Sequence, residues 1–407
     1  MIQITDKHDC CGCSACVQSC PCHCITMNED TEGFVYPEID KEKCIDCGLC
    51  ERVCPLIHPA EPIKWKEVLA AKNRNMSERL DSSSGGIFIA LARKVIDSGG
   101  VVFGAVFDKQ WNVVHTYAET LEVVKLMMGS KYVQSDINGT YAVAERFLKD
   151  GRTVLFTGTP CQIAGLNSYL RRDYPNLITA DFLCHGVPSP GVWQKYLHDS
   201  FGGFVYENAR PECSEVREWP DAITEITGIE FRDKKTCGWH KYNFLVRGMV
   251  KNTGQSVVLQ SDIYIDNPFM RGMLSDVYLR PSCYRCKCKN GVSHSDITLA
   301  DYWGVKTLLP DFADDQGVSL LFVNTAKGHN LLSALDIEVC QANIKGMELY
   351  NGGMNPVLRE GKCRSKFFKA YADGKSFAES LAIALKKPMY AILFVKLRKA
   401  VRHILRK

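Results

Sequence analysis

The spacing of apolar residues changes along the chain and predicts alternating helices and strands after residue 66. Residues 86–97 are apolar at helical spacing and end at a Ser-Gly-Gly stop, so they predict a helix. The continuous apolar block at residues 101–107 predicts a buried strand. The same reasoning predicts further strands at 154–156, 177–183, 296–300 and 318–323, and helices at 160–171 and 189–200.

This alternation indicates an α/β body behind an N-terminal segment of different character. Two prolines interrupt residues 58–66 and predict a short, stiff linker. Residues 205–265 alternate in polarity and contain many turn formers, so they predict a β-rich insertion. We therefore expect a mixed α+β and α/β protein, with a small ferredoxin-like domain at 1–58, a body in two parts at 67–150 and 151–340, and a helical basic tail at 341–407.

Composition adds one strong signal, which is cysteine. The chain has 407 residues, and 11 of its 20 cysteines fall between residues 10 and 54. No apolar run reaches the length of a membrane span, and the N-terminus lacks the basic and apolar stretches of a secretory signal. We therefore expect a cytoplasmic protein whose cysteines serve metal or redox chemistry rather than disulfides.

Positive charge is concentrated at the C-terminal end. Residues 386–407 carry eight basic residues and no acidic one, so the rest of the chain is slightly acidic although the net charge is +4. That balance argues against a nucleic-acid-binding body. The tail predicts docking to an anionic membrane surface or to an acidic partner, and a solvated helix packed on the body is the alternative.

Two cysteine runs of identical spacing dominate the N-terminal segment. Each run has three cysteines separated by two residues, then a fourth after three more residues and before a proline. This is the spacing of bacterial two-cluster ferredoxins, in which the fourth cysteine of each run serves the other cluster. Structural zinc sites are the alternative, but they do not require two identical runs that end in proline. The predicted ligands are Cys10, Cys13, Cys16 and Cys54 for one [4Fe–4S] cluster, and Cys44, Cys47, Cys50 and Cys20 for the other.

Short motifs at the ends of predicted elements indicate ligand sites in the body. Residues 82–86 place serines and glycines before the first body helix, which suits a phosphate or a flavin as well as a plain N-cap. Cys161 and Cys184 each follow a predicted strand, so we expect them to be neighbours, either as metal ligands or as small core residues. Cys283 and Cys286 would complete four thiolates for a third cluster, with zinc or a redox disulfide as alternatives.

Six body motifs follow one another between residues 82 and 304: SSSGGIF, GSKYVQS, GTPCQIAGL, CHGVPS, RPSCYRC and DITLADYWG. Together they resemble the beta-subunit family of coenzyme F420 hydrogenases and F420-linked dehydrogenases. The resemblance implies a flavoprotein in which FAD exchanges a hydride with F420 or another small molecule, and single electrons with iron–sulfur clusters. It also implies that Cys161, Cys184, Cys283 and Cys286 hold a third [4Fe–4S] cluster. The residues that it brings to FAD are Ser83, Ser84, Gly85, Gly86, Lys131, Tyr132, Gln134, Thr157, Gly158 and Thr159.

These parts predict an iron–sulfur flavoprotein oxidoreductase that passes electrons between clusters, FAD and a small hydride donor or acceptor. The alternatives are an electron-transfer subunit of a larger complex, without its own substrate, and a non-redox structural protein. Ferredoxin or another redox protein is the expected partner. His185 is the candidate proton donor, with a structural hydrogen bond as the alternative. Asp301 and Trp303 either face the site or cap and fill the end of a strand.

Overall fold

The computed structural model describes residues 1–202, 223–250, 253–354, 358 and 360–386. The basic tail beyond residue 386 and the first part of the predicted insertion therefore lie outside the described residues. The strands are β1 (Ile25–Glu29), β2 (Val35–Ile39), β3 (Glu67–Asn73), β4 (Val101–Phe107), β5 (Val113–Ala118), β6 (Val154–Thr157), β7 (Leu177–Phe182), β8 (Ile223–Asp233), β9 (Asn243–Val250), β10 (Ser256–Ile263), β11 (Ile297–Asp301), β12 (Ser319–Val323) and β13 (Ile337–Gln341).

Most helices are short, and several single turns are 3₁₀. The α-helices are α1 (Ala15–Gln18), α2 (Leu49–Arg52), α3 (Met76–Asp81), α4 (Ile87–Asp97), α5 (Leu121–Met127), α6 (Thr140–Lys149), α7 (Pro160–Leu170), α8 (Pro190–Phe201), α9 (Pro268–Leu274), α10 (Val305–Leu308), α11 (Ala326–Ser333), α12 (Lys362–Ala372) and α13 (Phe377–Leu385). The 3₁₀ turns are Lys7–Asp9, Pro281–Arg285, Pro310–Phe312, Met347–Leu349 and Gly352–Met354. None of the described helices is long and apolar enough to cross a bilayer.

The N-terminal module, residues 1–58, is built on one antiparallel hairpin of β1 and β2. Its two short helices follow the cysteine-rich loops. Each helix is preceded by a residue with left-handed backbone, Ser14 before α1 and Gly48 before α2. This conformation turns the chain sharply, so each loop of cysteines can fold back around a small volume.

The body, residues 67–386, is organised by one sheet of eight strands in the order β13-β3-β12-β11-β7-β6-β4-β5. The four strands β11, β7, β6 and β4 run parallel in the middle. The flanking strands pair antiparallel, β5 on one side and β12, β3 and β13 on the other. The carboxyl ends of the parallel strands therefore open onto one edge, where α/β proteins place their ligands.

The loops at this edge are held by helix caps encoded in the local sequence. The side chain of Thr159 accepts from the backbone of Gln162 in a capping box, and Pro160 occupies the first turn of α7. Ser189 caps α8 in the same way. Gly86, in contrast, begins α4 with left-handed backbone and no side-chain cap, so the first N–H groups of α4 lack a side-chain acceptor from the cap position.

The described part of the insertion forms a separate antiparallel sheet in the order β10-β9-β8. This confirms the predicted β-rich character. The sheet packs an aromatic core against α8 and α9, where the ring centroids of Trp193 and Phe269 lie 4.9 Å apart and those of Trp193 and Phe231 lie 5.1 Å apart. The insertion is therefore a structural part of the body and carries charged residues of β8 toward the main sheet.

The module packs directly on the body. A Cβ added to Gly33 would lie 2.5 Å from the backbone of Gly191, so the hairpin and α8 touch through glycines. The guanidinium of Arg364 in α12 binds both carboxylate oxygens of Glu32. The side chain of Gln18 accepts from the backbone N–H of Tyr141 at 3.0 Å. Three separate body elements thus hold the module, and Cys11 of its first cysteine loop reaches the carboxyl edge of the sheet.

The mixed α/β class with a small ferredoxin-like domain is confirmed, as are the elements predicted from apolar spacing, within one residue at each end. The apolar spacing did not predict the antiparallel flanks β3, β5 and β13. Strand β13 alternates buried and exposed residues over only five positions, so its apolar spacing carries little signal. Its place beside β3 comes from long-range pairing.

Candidate functional site

The thiols predicted for the second ferredoxin cluster lie around one recess, which we call the outer recess. Cys44, Cys47 and Cys50 line it together with Cys20, the fourth cysteine of the other run. Cys22 and Cys24 also line it, and the sulfurs of Cys20 and Cys24 are 3.4 Å apart. Cys47 and Ile45 are exposed, with Ile45 67% accessible. The outer recess therefore lies close to solvent.

The thiols predicted for the first ferredoxin cluster are also neighbours, but they lie deeper. Burial raises the pKa of Cys16 to about 12, and the charges of Cys10 and Cys54 act in the same direction. Cys13 is buried, and a Cβ added to Gly165 of α7 would lie 3.0 Å from its sulfur. This group of thiols, which we call the inner group, is therefore packed against the body.

A third recess, the body recess, forms at the carboxyl edge of the main sheet. Cys161 follows β6 and Cys184 follows β7, and both line it. Cys283 and Cys286 reach it from the 3₁₀ turn Pro281–Arg285. The structure therefore brings together all four cysteines that the sequence singled out, because parallel strands end side by side.

Two more thiols line the body recess, and the sequence alone did not place them there. Cys288 is 1% exposed and lies just beyond the CxxC pair. Cys11 belongs to the module and sits between two predicted ligands of the inner group. A signal was present in the sequence, since both residues stand off the regular spacing, but only the docking of module on body shows where they point.

The donor set of the body recess fits a metal cluster. Burial raises the pKa of Cys184 well above its usual value and that of Cys283 to about 12, while the charge of Lys289 lowers both. A hydrogen bond with Cys11 and burial raise the pKa of Cys161. Thiols this dry lose their protons only to compensating positive charge, which bound metal supplies.

The cysteines of the body recess line a common volume. Among the described residues, no three histidine, cysteine, aspartate or glutamate side chains converge closely enough to hold one metal ion. This also applies to the two ferredoxin runs. The thiolates of a four-iron cluster each bind a different iron, so they surround a volume instead of meeting at a point, whereas zinc needs four ligands within bonding distance of one atom.

Two of the loops assigned to FAD by resemblance lie against each other. The backbone N–H of Ser130 donates to the hydroxyl of Ser83 at 2.7 Å, which joins the loop before α4 to the loop after α5. The ammonium of Lys234 donates to the carbonyl of Ser84 at 2.7 Å, and burial lowers the pKa of Lys234 to about 7. Lys234 directly follows β8 and gave no signal in the sequence.

A second contact joins β5 to the end of β6. The ring Nε2 of His115 lies 2.9 Å from the carbonyl of Thr157, and its Nδ1 is buried without a hydrogen-bond partner among the described residues. Burial lowers the pKa of His115 to about 4. The ammonium of Lys131 donates to the carbonyl of Met128 at 3.0 Å, and burial lowers its pKa to about 7. A Cβ added to Gly158 would lie 3.5 Å from Nε2 of His115.

The remaining residues of this set make other contacts. Gln134 uses its amide toward the module, donating to the carbonyl of Cys11 at 3.0 Å. The ring of Tyr132 stands edge-on to Phe231, with centroids 5.7 Å apart. Gly85 donates to the hydroxyl of Ser319, and Thr159 caps α7 with its Oγ1 3.1 Å from the sulfur of Cys161.

His185 has a fixed partner. Its Nε2 lies 2.5 Å from the carboxylate of Asp276, and its carbonyl accepts from the ammonium of Lys289 at 3.2 Å. These contacts hold His185 in place, and its role as a proton donor stays a prediction. Asp301 binds both ends of the guanidinium of Arg232, and Trp303 stacks on Trp239 with centroids 4.7 Å apart.

Comparison with known proteins finds family models that match two parts of the chain. Residues 9–56 match the 4Fe-4S dicluster domain, and residues 151–343 match the C terminus of the coenzyme F420 hydrogenase/dehydrogenase beta subunit. Among solved structures, the chain is similar to one from the F420-reducing [NiFe] hydrogenase complex of Methanosarcina barkeri, at 17% identity and a TM-score of 0.43, covering 79% of this chain and 91% of that one. No curated protein matches. The family resemblance is thereby confirmed: residues 9–56 are similar to the 4Fe-4S dicluster domain, and residues 151–343 to the C terminus of the coenzyme F420 hydrogenase/dehydrogenase beta subunit.

Proposed function

We propose that the chain is an iron–sulfur flavoprotein oxidoreductase that carries electrons between [4Fe–4S] clusters, FAD and a small hydride donor or acceptor. Two clusters would lie in the module and a third in the body recess, held by Cys161, Cys184, Cys283 and Cys286. F420 is one candidate for the small molecule, because it is the coenzyme in the family's name.

One observation carries this proposal: the module itself contributes to the body recess. Cys11 and Leu56 of the module line the recess together with Cys161 and Cys184 of the body. Cys11 also stands between Cys10 and Cys13, which are predicted ligands of the inner group. This supports a continuous one-electron path from the outer recess, through the inner group, to the body recess.

The residues assigned to FAD fit an anionic cofactor that the sheet keeps dry. Lys131 and Lys234 have no carboxylate among their hydrogen-bond partners in the described chain, and both lie at the serine and glycine loops, where a bound anion would hold them protonated. The uncapped start of α4 adds backbone N–H groups. When bound, FAD supplies the exchange between two-electron hydride chemistry and one-electron transfer. The protein would hold the phosphates and the ring and would exclude water. The buried Nδ1 of His115 would donate or accept a hydrogen bond at this site.

Anaerobic purification followed by analysis of iron, sulfide and flavin tests this proposal. We expect about twelve iron atoms per chain, in line with three four-iron clusters, and one flavin. The reduced state should form on addition of one of reduced ferredoxin, NAD(P)H or F420, tried in turn. A colourless protein with neither sulfide nor flavin would overturn the proposal.

The second candidate is an electron-transfer subunit without its own substrate. The exposed edge of the outer recess at Ile45 and Cys47 favours contact with a redox partner protein, such as a ferredoxin, in either case. The two candidates differ in one measurement. The isolated, flavin-loaded chain oxidises or reduces a small molecule in the first case, and exchanges electrons only with a protein partner in the second.

The basic tail remains a separate prediction, because residues 387–407 lie outside the described residues. Docking to anionic membrane surfaces is expected to need these charges. Co-sedimentation with phosphatidylserine vesicles, with and without residues 386–407, measures it directly. Equal binding by both chains would remove membrane docking from the proposal.

A further inference from the structure

Arg280 is a buried cation at the boundary between module and body. Its side chain is completely buried, and it opens the RPSCYRC motif that supplies the CxxC pair. The guanidinium Nε donates to the carbonyl of Cys10 at 2.8 Å, across 270 positions of sequence. Its Nη2 donates to the carbonyl of Val35 at 2.9 Å, and its Nη1 to the side chain of Gln134 at 2.9 Å. The planar group is thus fixed at three corners.

None of the partners of Arg280 in the described chain is a carboxylate. Two are backbone carbonyls, one is a neutral amide, and the fourth is the sulfur of Cys10, 3.5 Å from Nη2. A buried guanidinium without a counter-charge is costly. The rings of Tyr36 and Phe34 lie 4.4 and 5.4 Å away and offer only partial compensation.

Cysteines lie on both sides of the guanidinium, and they carry negative charge when a cluster is bound. Arg280 touches Cys10 of the inner group and also lines the body recess with Cys283 and Cys161. The same cation therefore faces two sets of cysteines, those of the inner group and those of the body recess.

We propose that Arg280 is a positioning residue that couples the inner group to the body recess electrostatically, by stabilising the reduced state of the clusters bound at both. This inference rests on the proposed function, because it needs clusters at these sites. When one electron leaves one cluster and enters the other, no bond is made or broken. The positive charge between them favours the more negative, reduced form on either side, and it holds the backbone of Cys10 at a constant distance from the body.

Potentiometric titration followed by EPR, on the full chain, tests the coupling through Arg280→Gln. We expect the reduced-to-oxidised ratio at a fixed potential to fall about tenfold for the inner-group and body-recess clusters, which is 59 mV for a one-electron couple. The cluster of the outer recess should keep its midpoint, because Arg280 does not line that recess. Arg280→Lys retains the charge, so its reduced-to-oxidised ratio should lie close to that of the wild type.

Arg285 offers a matched control on the same 3₁₀ turn. Its guanidinium pairs with Asp6 at 3.1 Å and its side chain is 63% exposed. Arg285→Gln removes the same charge from the same turn, but solvent screens it there. For every cluster, the reduced-to-oxidised ratio at a fixed potential should change less than twofold.

A second variant covers the case in which Arg280→Gln does not fold. Gln134→Glu leaves Arg280 in place and puts a carboxylate against its Nη1, so it neutralises the cation in nearly unchanged volume. The midpoint potentials of the inner-group and body-recess clusters should shift in the same direction as in Arg280→Gln. Unchanged midpoints in a variant with full iron content would overturn the role of Arg280. A wild-type chain without iron in the body recess would instead overturn the third cluster of the proposed function, and the inner-group shift alone would then test Arg280.

Discussion

The outer recess and the body recess are both lined by six cysteines, yet they are made in opposite ways. The outer recess takes its thiols from residues 20–50, and it lies near solvent. The body recess draws its cysteines from the module, from the ends of β6 and β7, and from the turn Pro281–Arg285. A local run can shape a cluster site on its own, whereas a site at a sheet edge exists only after the strands, the CxxC turn and the module have come together.

The largest expected effect is the loss of iron when one cysteine of the body recess is replaced. Cys184→Ala is expected to lose about four of twelve iron atoms, because a four-iron cluster with three thiolates at a buried site is incompletely held. The EPR signals of the module clusters should persist. Cys340→Ala is the matched control, since Cys340 lies in β13, away from the three sites, and should retain all iron. Full iron content in the Cys184 variant would contradict the assignment.

Depth provides a second test, through the rate of iron release. Cys47 is exposed in the outer recess, whereas Cys184 is 8% exposed in the body recess. Ferricyanide with a chelator should therefore release iron from the outer recess at least ten times faster than from the body recess. The visible absorbance of wild-type protein and of Cys184→Ala follows the two phases. A single phase for all clusters would show that burial does not separate them.

The dryness of the body can be measured at His115. The pKa of His115 is lowered to about 4 by burial, from an unfolded value of about 6.5, so the unfolded chain binds the proton first as the pH falls. Its contribution to folding is complete above pH 6.5 and is lost between pH 6.5 and 4, by about 3 kcal/mol. Urea unfolding across this range should depend less on pH in His115→Gln. Equal pH dependence in variant and wild type would contradict a buried neutral ring.

The smallest expected effect concerns the contact between module and body at Gly12. Gly12 has φ +70°, and an added Cβ would lie 2.8 Å from Nη1 of Arg280. Gly12→Ala should therefore cost about 2 kcal/mol, from left-handed strain plus the displaced guanidinium. Gly151 has φ +77° and nothing within 4 Å, so Gly151→Ala should cost about 1 kcal/mol, from strain alone. Equal decreases in the urea midpoints of the two variants would mean that the Arg280 side chain moves away from the added Cβ without an energetic cost.

The motifs at strand ends were only partly predictable from the sequence, and in this they lie between the outer recess and the body recess. Cys161 and Cys184 were expected to be neighbours, because the alternation of strands and helices implies parallel strands with a shared carboxyl edge. The chain order alone did not indicate which further groups would cover that edge. Lys234 reaches it from the insertion, and Gln134, grouped with the flavin residues by its motif, turns its amide toward Cys11.

The sequence by itself determined the two ferredoxin runs, the alternating core of the body and the motifs at its strand ends. Each depends on spacing over a few residues, where covalent geometry and burial leave little choice. Only the tertiary structure decided that Cys11 and Cys288 join the body cysteines and that Arg280 reaches Cys10. Contacts across 270 positions depend on how two domains dock, and docking follows from shape and charge that no local pattern contains.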